Sequence, residues 1–500
     1  MKRSPLLSSI LAIFILTISV ISGPGCANII PPTGGPRDSL PPLLLKATPG
    51  DSTRNFKGNK ITFTFDEFVE VQSPEENLLV SPSPATSPVI DYKLNTVTVK
   101  LKDTLDPNTT YTINFGKTIK DFNEGNVMEG FSYTFSTGPY IDSLELRGKV
   151  LLAETGKTDS TLFVMLHTGA GDSVVIKEKP RYIAILNGNG EFIFTNLPPK
   201  TFYIYALKDE GGTKRYLSGK QLFAFADKPV VMQASVSPVI LYAYAEEQAA
   251  AAPTVNTTSF NIGNRGKKLT GDGIDKRLKF QTSLSGSQQD LLTPFSISFD
   301  QPLRLFDSSK IRLYSDTTFT AVSSYAFKKD SSNKKILLDI SWKENTRYHI
   351  ILDKDFADDS AGRKLLKTDT LSFTTKKLSD YGSIKLTLRN LETEKNPVLQ
   401  FVLNNVLYKS FPLAGNVFLA TTFLPGEYEL RILYDDNKNG KWDPGEFFGK
   451  HRQPEIVKAV SRRITIKPAW DNEVEININQ AENNNEEPKK ANNKPGSIAD

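Results

Sequence analysis

Ile61-Thr62-Phe63-Thr64-Phe65-Asp66 alternates large apolar with polar side chains and ends on an acid; Phe295-Ser296-Ile297-Ser298-Phe299-Asp300 does the same. A period of two puts every second side chain on one face, so each stretch reads as a half-buried strand. Working outward, the echo continues. Asn108-Thr109-Thr110-Tyr111-Thr112-Ile113 matches Asn345-Thr346-Arg347-Tyr348-His349-Ile350, and Asp121 and Gly125 recur as Asp358 and Gly362. Phe135-Ser136-Thr137 closes the first stretch and Phe373-Thr374-Thr375 the second. Such self-similarity predicts one domain type, A, used twice, over residues 40–138 and 270–376.

The segments between them pair as well. Gly148-Lys149-Val150 and Gly382-Ser383-Ile384 open a second type, B, expected over residues 141–245 and 380–478. Leu197-Pro198-Pro199 ahead of Phe202-Tyr203-Ile204-Tyr205 corresponds to Leu424-Pro425-Gly426 ahead of Tyr428-Glu429-Leu430-Arg431. An alanine run with Pro253 marks a linker over residues 246–269, and residues 481–500 hold almost nothing to bury, so disorder is expected there. Long amphipathic helix patterns are absent, while 32 Gly, 30 Pro and 10% aromatic residues suit many short strands joined by turns. The fold class expected is all-β, tandem β-sandwiches in the order A, B, A′, B′. The net charge of +5 comes from interspersed acids and bases, which gives no clustered basic face for nucleic acid.

The one cysteine, Cys26, follows Lys2, Arg3, an apolar run over residues 6–21, and Gly23-Pro24-Gly25. Ser8, Ser9, Thr17 and Ser19 interrupt a run already short for a membrane span, so a cleaved signal over residues 1–25 is expected. This arrangement resembles a bacterial lipoprotein, in which Cys26 becomes the acylated first residue and 26–39 a tether. Ordinary cleavage after Ala27 is the alternative. Residues 27–30 lack an acidic run, and either face of the outer membrane stays open. No further cysteine follows, so each domain must be held by its own core.

The A segments resemble the bacterial Ig-like domains of large envelope lipoproteins through ITFTFDEFVE, LDPNTTYTINFG and YTFSTG, and PTGGPRDSLPP is similar to the start of such lipoproteins in Bacteroidetes. The B segments resemble transthyretin-like, carboxypeptidase-regulatory domains through GNGEFIFTNLPPKTFYIYALKD and LPGEYELRILYDDNKNGKWDPGEF. A′ departs most, with Pro302 where A has Phe68. These resemblances imply a lipid-anchored outer-membrane protein that works without catalysis, by contact with an envelope protein or glycan.

One stretch carries chemistry. Asp435, Asn437, Asn439, Gly440, Asp443 and Glu446 take positions one, three, five, six, nine and twelve of a calcium loop, with the Lys441 carbonyl at seven. Ca²⁺ takes hard oxygens, and alternating acids and amides converge where the backbone coils around an ion. The flanks read as strands, and Pro444 lies inside, so an Asn-Gly hairpin turn with solvated acids is the competing reading. In B the corresponding stretch starts at Asp209, but Gly211, Thr213, Lys214, Leu217 and Lys220 replace the other ligands, which favours a reason particular to B′. Trp442, Phe447 and Phe448 are expected in a core. Arg462, Arg463 and Lys467 alternate with Ile464 and Ile466 as an edge strand would, and Asp121 to Gly125 reads as a tight turn. His167, His349 and His451 lie far apart, and Gly188 and Gly190 precede a strand rather than a helix. No acid/base pair identifies itself, so no enzyme is expected.

Overall fold

The stretch at 60–65 becomes the inner strand Lys60–Phe65, with Ile61, Phe63 and Phe65 buried on one face. It lies antiparallel between Leu44–Thr48 and Thr96–Lys100, and Val89–Lys93 forms the far edge. The facing sheet holds Leu79–Ser81, Thr110–Asn114 and Ser132–Ser136, and Val69–Val71 pairs with Ile119–Asp121 as a separate ribbon. The computed structural model describes residues 37–234, 236–247 and 277–479. Cys26, the signal segment, most of the expected linker and the C-terminal tail therefore lie outside the described residues. Helix among the described residues is confined to two single turns, Pro74–Asn77 and Val174–Lys177, and three short 3₁₀ turns.

The same plan recurs downstream. Phe295–Phe299 lies between Phe280–Thr282 and Lys335–Asp339, with Ala326–Lys329 at the edge. Ile311–Ser315, Arg347–Leu352 and Asp369–Thr375 face them, and Leu303–Phe306 pairs with Ala357–Asp359. The matched motifs do matched work. Thr137 Oγ1 accepts from the Thr109 N–H at 3.0 Å and donates to the Asp106 carbonyl at 2.6 Å. Thr375 Oγ1 accepts from Thr346 at 2.9 Å and donates to Lys343 at 2.6 Å. The phenol oxygens of Tyr111 and Tyr348 accept from Asp106 and Lys343 in turn. Each motif thus ties a loop to the closing strand and satisfies backbone groups that would otherwise be orphaned.

The intervening segments share a second plan. Leu144–Leu152 has Glu191–Leu197 antiparallel on one side and Val239–Ala243 parallel on the other. Its counterpart Gly382–Arg389 has Val417–Phe423 and, in parallel, Asp471–Asn477. The facing sheets run Tyr182–Ile185, Phe163–His167, Thr201–Leu207, Phe223–Phe225 in one and Val406–Pro412, Pro397–Leu403, Gly426–Tyr434, Ile456–Ala459 in the other. Four hydrophobic clusters follow, one within each copy of each plan. The architecture is all-β, with tandem repeated sandwiches. By contact density the chain forms two compact units, one reaching Ile141 and one from Asp142 onward, residues 81–83 grouping with the second.

Two of the sequence registers need correction. Asp121 corresponds to Asp359, not Asp358: Val69 pairs with Asp121 and Leu303 with Asp359. Strand-end carboxylates have to be placed by ladder partner, and the DD dipeptide hides which of two buried aspartates turns back onto its own loop. Likewise Gly382 corresponds to Leu144 rather than Gly148, since Leu144 opposes Leu197 where Gly382 opposes Phe423. Each glycine answers a different crowding, because a Cβ on Gly148 would meet Phe192 Cζ at 2.3 Å and one on Gly382 the Lys467 carbonyl at 2.4 Å.

Candidate functional site

The stretch singled out for calcium joins Gly426–Tyr434 to Ile456–Ala459, adjacent antiparallel strands. Asp435 is buried and accepts from the backbone N–H of Asn439 at 3.2 Å and of Gly440 at 2.7 Å. Asn437 and Asn439 each direct the side-chain amide at Asp443 Oδ2, both at 2.6 Å. Asn439 Oδ1 accepts from the Lys441 N–H at 2.7 Å. Asp435, Asn437, Asn439, Lys441 and Asp443 are therefore brought into one coil of chain, closed by amide donors on Asp443 and by backbone N–H groups on the other side-chain oxygens. Among the described residues, no group of three or more His, Cys, Asp or Glu side chains lies close enough to hold a metal ion in this arrangement.

Glu446 does not close the coil. Its carboxylate pairs with Lys450 Nζ at 2.8 Å, and its backbone exchanges hydrogen bonds with Arg452 at 2.8 and 2.9 Å. Pro444-Gly445 has carried the chain out of the coil by then. The carboxylate that does stand over the loop is Glu455, which sequence spacing missed. It is buried and accepts from the N–H groups of Asp436 at 2.9 Å and Asp443 at 3.0 Å. Burial pushes its carboxyl above the usual range, the two backbone N–H bonds oppose this, and the charges of Asp435 and Asp443 add to the rise. Only a strand-return distance, invisible to a loop motif, could have pointed to it.

Asp209 begins the corresponding loop of B, and it too accepts backbone N–H groups, from Gly211 at 3.0 Å and from Lys214. Capping by the first aspartate is therefore common to both loops. The convergence of Asn437 and Asn439 on Asp443 belongs to B′ alone.

The rest of the loop has a different use. Phe447 is 2% exposed and packs in a cluster with Tyr205, Phe223, Phe225 and Tyr244, all from B. Its ring lies 5.0 Å from that of Phe223 and 5.1 Å from that of Phe225. Polar contacts surround the insertion: Glu246 accepts from the Phe447 N–H at 2.9 Å, and Asp172 from the Gly449 N–H at 3.0 Å. His451 Nε2 meets Asp172 Oδ1 at 2.6 Å, and Gln453 donates to Asp227 at 2.7 Å. The Gly449 N–H, and after it His451, hold the Asp172 carboxyl below its usual range against the effect of burial. Gly445 permits the approach, since a Cβ there would meet Tyr244 Cζ at 2.6 Å and the Arg452 carbonyl at 2.7 Å. Trp442 is half-buried and donates to the Glu455 carbonyl at 2.7 Å, whereas Phe448 stays 39% exposed. Phe447 is buried, but in a cluster on the outer face of the other module's sheet, distinct from the sandwich core of either B module.

The remaining sequence candidates resolve simply. Asp121 is buried in a tight turn and accepts from Glu124, Gly125 and Asn126 at 2.6, 3.2 and 2.8 Å. Ile464–Ile466 forms a short strand on Gly426–Tyr434, with Arg463 facing Glu427 at 3.4 Å. A shallow surface cavity of about 410 Å³ is lined by Leu144, Glu145, Arg147, Val236 and Pro238.

No curated protein sequence matches the chain significantly. Among solved structures, it is similar to native alpha-2-macroglobulin from Escherichia coli at 13% identity, covering 37% of this chain and 71% of that one, TM-score 0.18. The TIE protein of Bacillus anthracis is 10% identical, covering 89% and 75%, TM-score 0.15. The major pilin subunit of Bacillus cereus is 10% identical, covering 66% and 99%, TM-score 0.14. Superpositions this loose bear on neither partner nor activity. Residues 38–137, the first A module, match the family model of the bacterial Ig-like domain.

Proposed function

We propose that the chain is a non-enzymatic cell-envelope lipoprotein, held to the outer membrane by lipid on Cys26, whose sandwiches present loops or edge strands to an envelope protein or glycan. In this reading the B modules are of the transthyretin-like, carboxypeptidase-regulatory kind. The observation that carries it is the packing of Phe447 from one B module against the outer sheet face of the other, in a cluster separate from that module's own core, which ties the two repeats together. The buried carboxylates also serve the framework. Asp121, Asp359 and Asp435 cap turns, and Asp358 pairs with Arg304 at 2.7 Å. Metabolic labelling with a fatty acid tests the anchor. Wild type takes up label and Cys26→Ser does not; an unlabelled wild type overturns the reading.

A second reading is favoured by the set Asn437, Asn439 and Asp443 that B′ alone carries, whose side-chain oxygens would face an ion once the two amide bonds to Asp443 are given up. Here the 435–443 coil binds Ca²⁺ through Asp435, Asn437, Asn439, the Lys441 carbonyl and Asp443, with Glu455 in the place first given to Glu446. Millimolar Ca²⁺ then raises the melting temperature, and Asp435→Ala with Asp443→Ala abolishes the rise while Glu446→Ala keeps it. No rise in wild type removes this reading.

A further inference from the structure

One end of the first A module exposes large apolar side chains that its fold does not require. Leu40, Leu43, Phe68, Leu94 and Phe122 are between 52% and 70% exposed. Backbone bonds bring them together: Phe122 N donates to the Phe68 carbonyl at 2.9 Å, Val69 N to Leu94 at 3.0 Å, and Asp66 N to Leu43 at 3.1 Å. The Asn126 side chain donates to the Leu40 carbonyl at 3.0 Å. Isolated exposed apolar residues are ordinary, but a contiguous group at one apex marks a contact surface.

The repeat supplies a control within the same chain. In A′ the same bonds run from Ser360 N to the Pro302 carbonyl at 3.0 Å and from Leu303 N to Asn333 at 2.8 Å. Pro302, Asn333 and Ser360 thus stand where the first module has Phe68, Leu94 and Phe122. Lys279 stands where it has Leu43, because Leu44 pairs with Phe65 as Phe280 pairs with Phe299. The fold is made equally well without the apolar set, so the set serves something outside the module.

Chain length says what lies there. Arg37 donates to the Glu124 carbonyl at 2.9 Å, at this same apex, and only residues 27–36 separate it from Cys26. Fully extended, that stretch spans less than about 40 Å. We infer that the apex formed by Leu40, Leu43, Phe68, Leu94 and Phe122 lies in the interfacial layer of the bilayer to which Cys26 is tethered, as a second membrane contact beside the lipid. This rests on the lipoprotein reading. Apolar side chains seated at the headgroup boundary add to an acyl anchor, and two signals hold where one is marginal. Asp38, Asp66, Glu67 and Glu124 ring the apex; burial and the neighbouring carboxylates hold Glu67 above its usual range. A surface of that sign selects neutral over anionic headgroups.

The test couples the mature chain through its single thiol to a maleimide lipid in phosphatidylcholine vesicles, which makes it independent of acylation in cells. Tryptophan is introduced by Phe68→Trp or Phe122→Trp, with Asn333→Trp as the A′ control, and lipids brominated near the headgroup serve as quencher. The inference expects quenching at 68 and 122 several-fold above that at 333, weakened by anionic lipid. Equal quenching at all three positions overturns it. So does a concentration-dependent dimer abolished by Phe68→Ser with Phe122→Ser, since a second copy would then cover the apex. A chain left unlabelled by fatty acid yet strongly quenched at 68 and 122 refutes the anchor while upholding the apex as a membrane-binding surface.

Discussion

Asp121 and Asp359 show how single residues are used here. Each is a buried carboxylate at the end of a ribbon strand, turned back onto the N–H groups of its own loop. Burial alone would raise both carboxyls, but the backbone donors, with Arg363 helping at Asp359, outweigh it and hold both below the usual range. A carboxyl lowered by folding stabilises the fold above the unfolded value, near pH 3.9, and that contribution is lost as pH falls through the folded value. Urea denaturation of wild type between pH 7 and pH 2 is expected to show stability declining below about pH 4. Asp121→Asn, which keeps an acceptor but no titration, should flatten part of that decline. Asp121→Ala leaves three donors without their acceptor and should cost about 2 kcal/mol at pH 7. That an acid ended the strand was legible in the sequence. Which member of the buried pair Asp358-Asp359 caps its own loop was not, because only the ladder register decides it.

At the scale of an element, the 435–455 loop has two parts with separate roles. Its first half coils on Asp435 and Asp443, and its second half carries Phe447 onto the outer sheet face of B. Phe447→Ala should cost about 3–5 kcal/mol, typical of a buried aromatic truncated in a packed site. Because the ring joins two modules, calorimetry should also show one broad transition separating into two. Asp172→Ala, which leaves the Gly449 N–H and His451 without their acceptor, should weaken the coupling in the same sense by a smaller amount. Glu455 predicts a pH effect of opposite sign to that of Asp121. Glu455 is raised, so its contribution is present below the ordinary glutamate value and fades as pH rises through the higher one. In the calcium reading that same carboxylate has to be charged, so the Ca²⁺-induced rise in melting temperature should grow as pH rises above the ordinary glutamate value. A rise that shrinks as pH increases would count against Glu455 as a ligand. Ligand spacing exposed the coil in the sequence, but Glu455 comes from the returning strand and escapes any motif counted along the chain.

For the whole molecule, duplication decides what can be asked of it. Two plans, each used twice, give every loop an internal comparison: Asp209 for Asp435, Pro302 for Phe68, Asn333 for Leu94. Where both copies act alike, as Thr137 and Thr375 do, the residue serves the fold. Where they differ, as at the first module's apex and the B′ coil, the residue serves something else. Replacing Thr137 or Thr375 by Val should therefore cost similar stability in the two modules, about 1 kcal/mol for the net loss of a buried hydrogen bond, measured by chemical denaturation. The period of two, the turn residues and the repeated motifs made the all-β tandem architecture readable from the sequence alone, because a strand's alternation is written in adjacent residues. The aromatic cluster that receives Phe447, the carboxylate that overlies the coil and the loops that meet at the apolar apex were decided only by tertiary structure. Those contacts join residues distant along the chain, and no local period records which distant surface a side chain will meet.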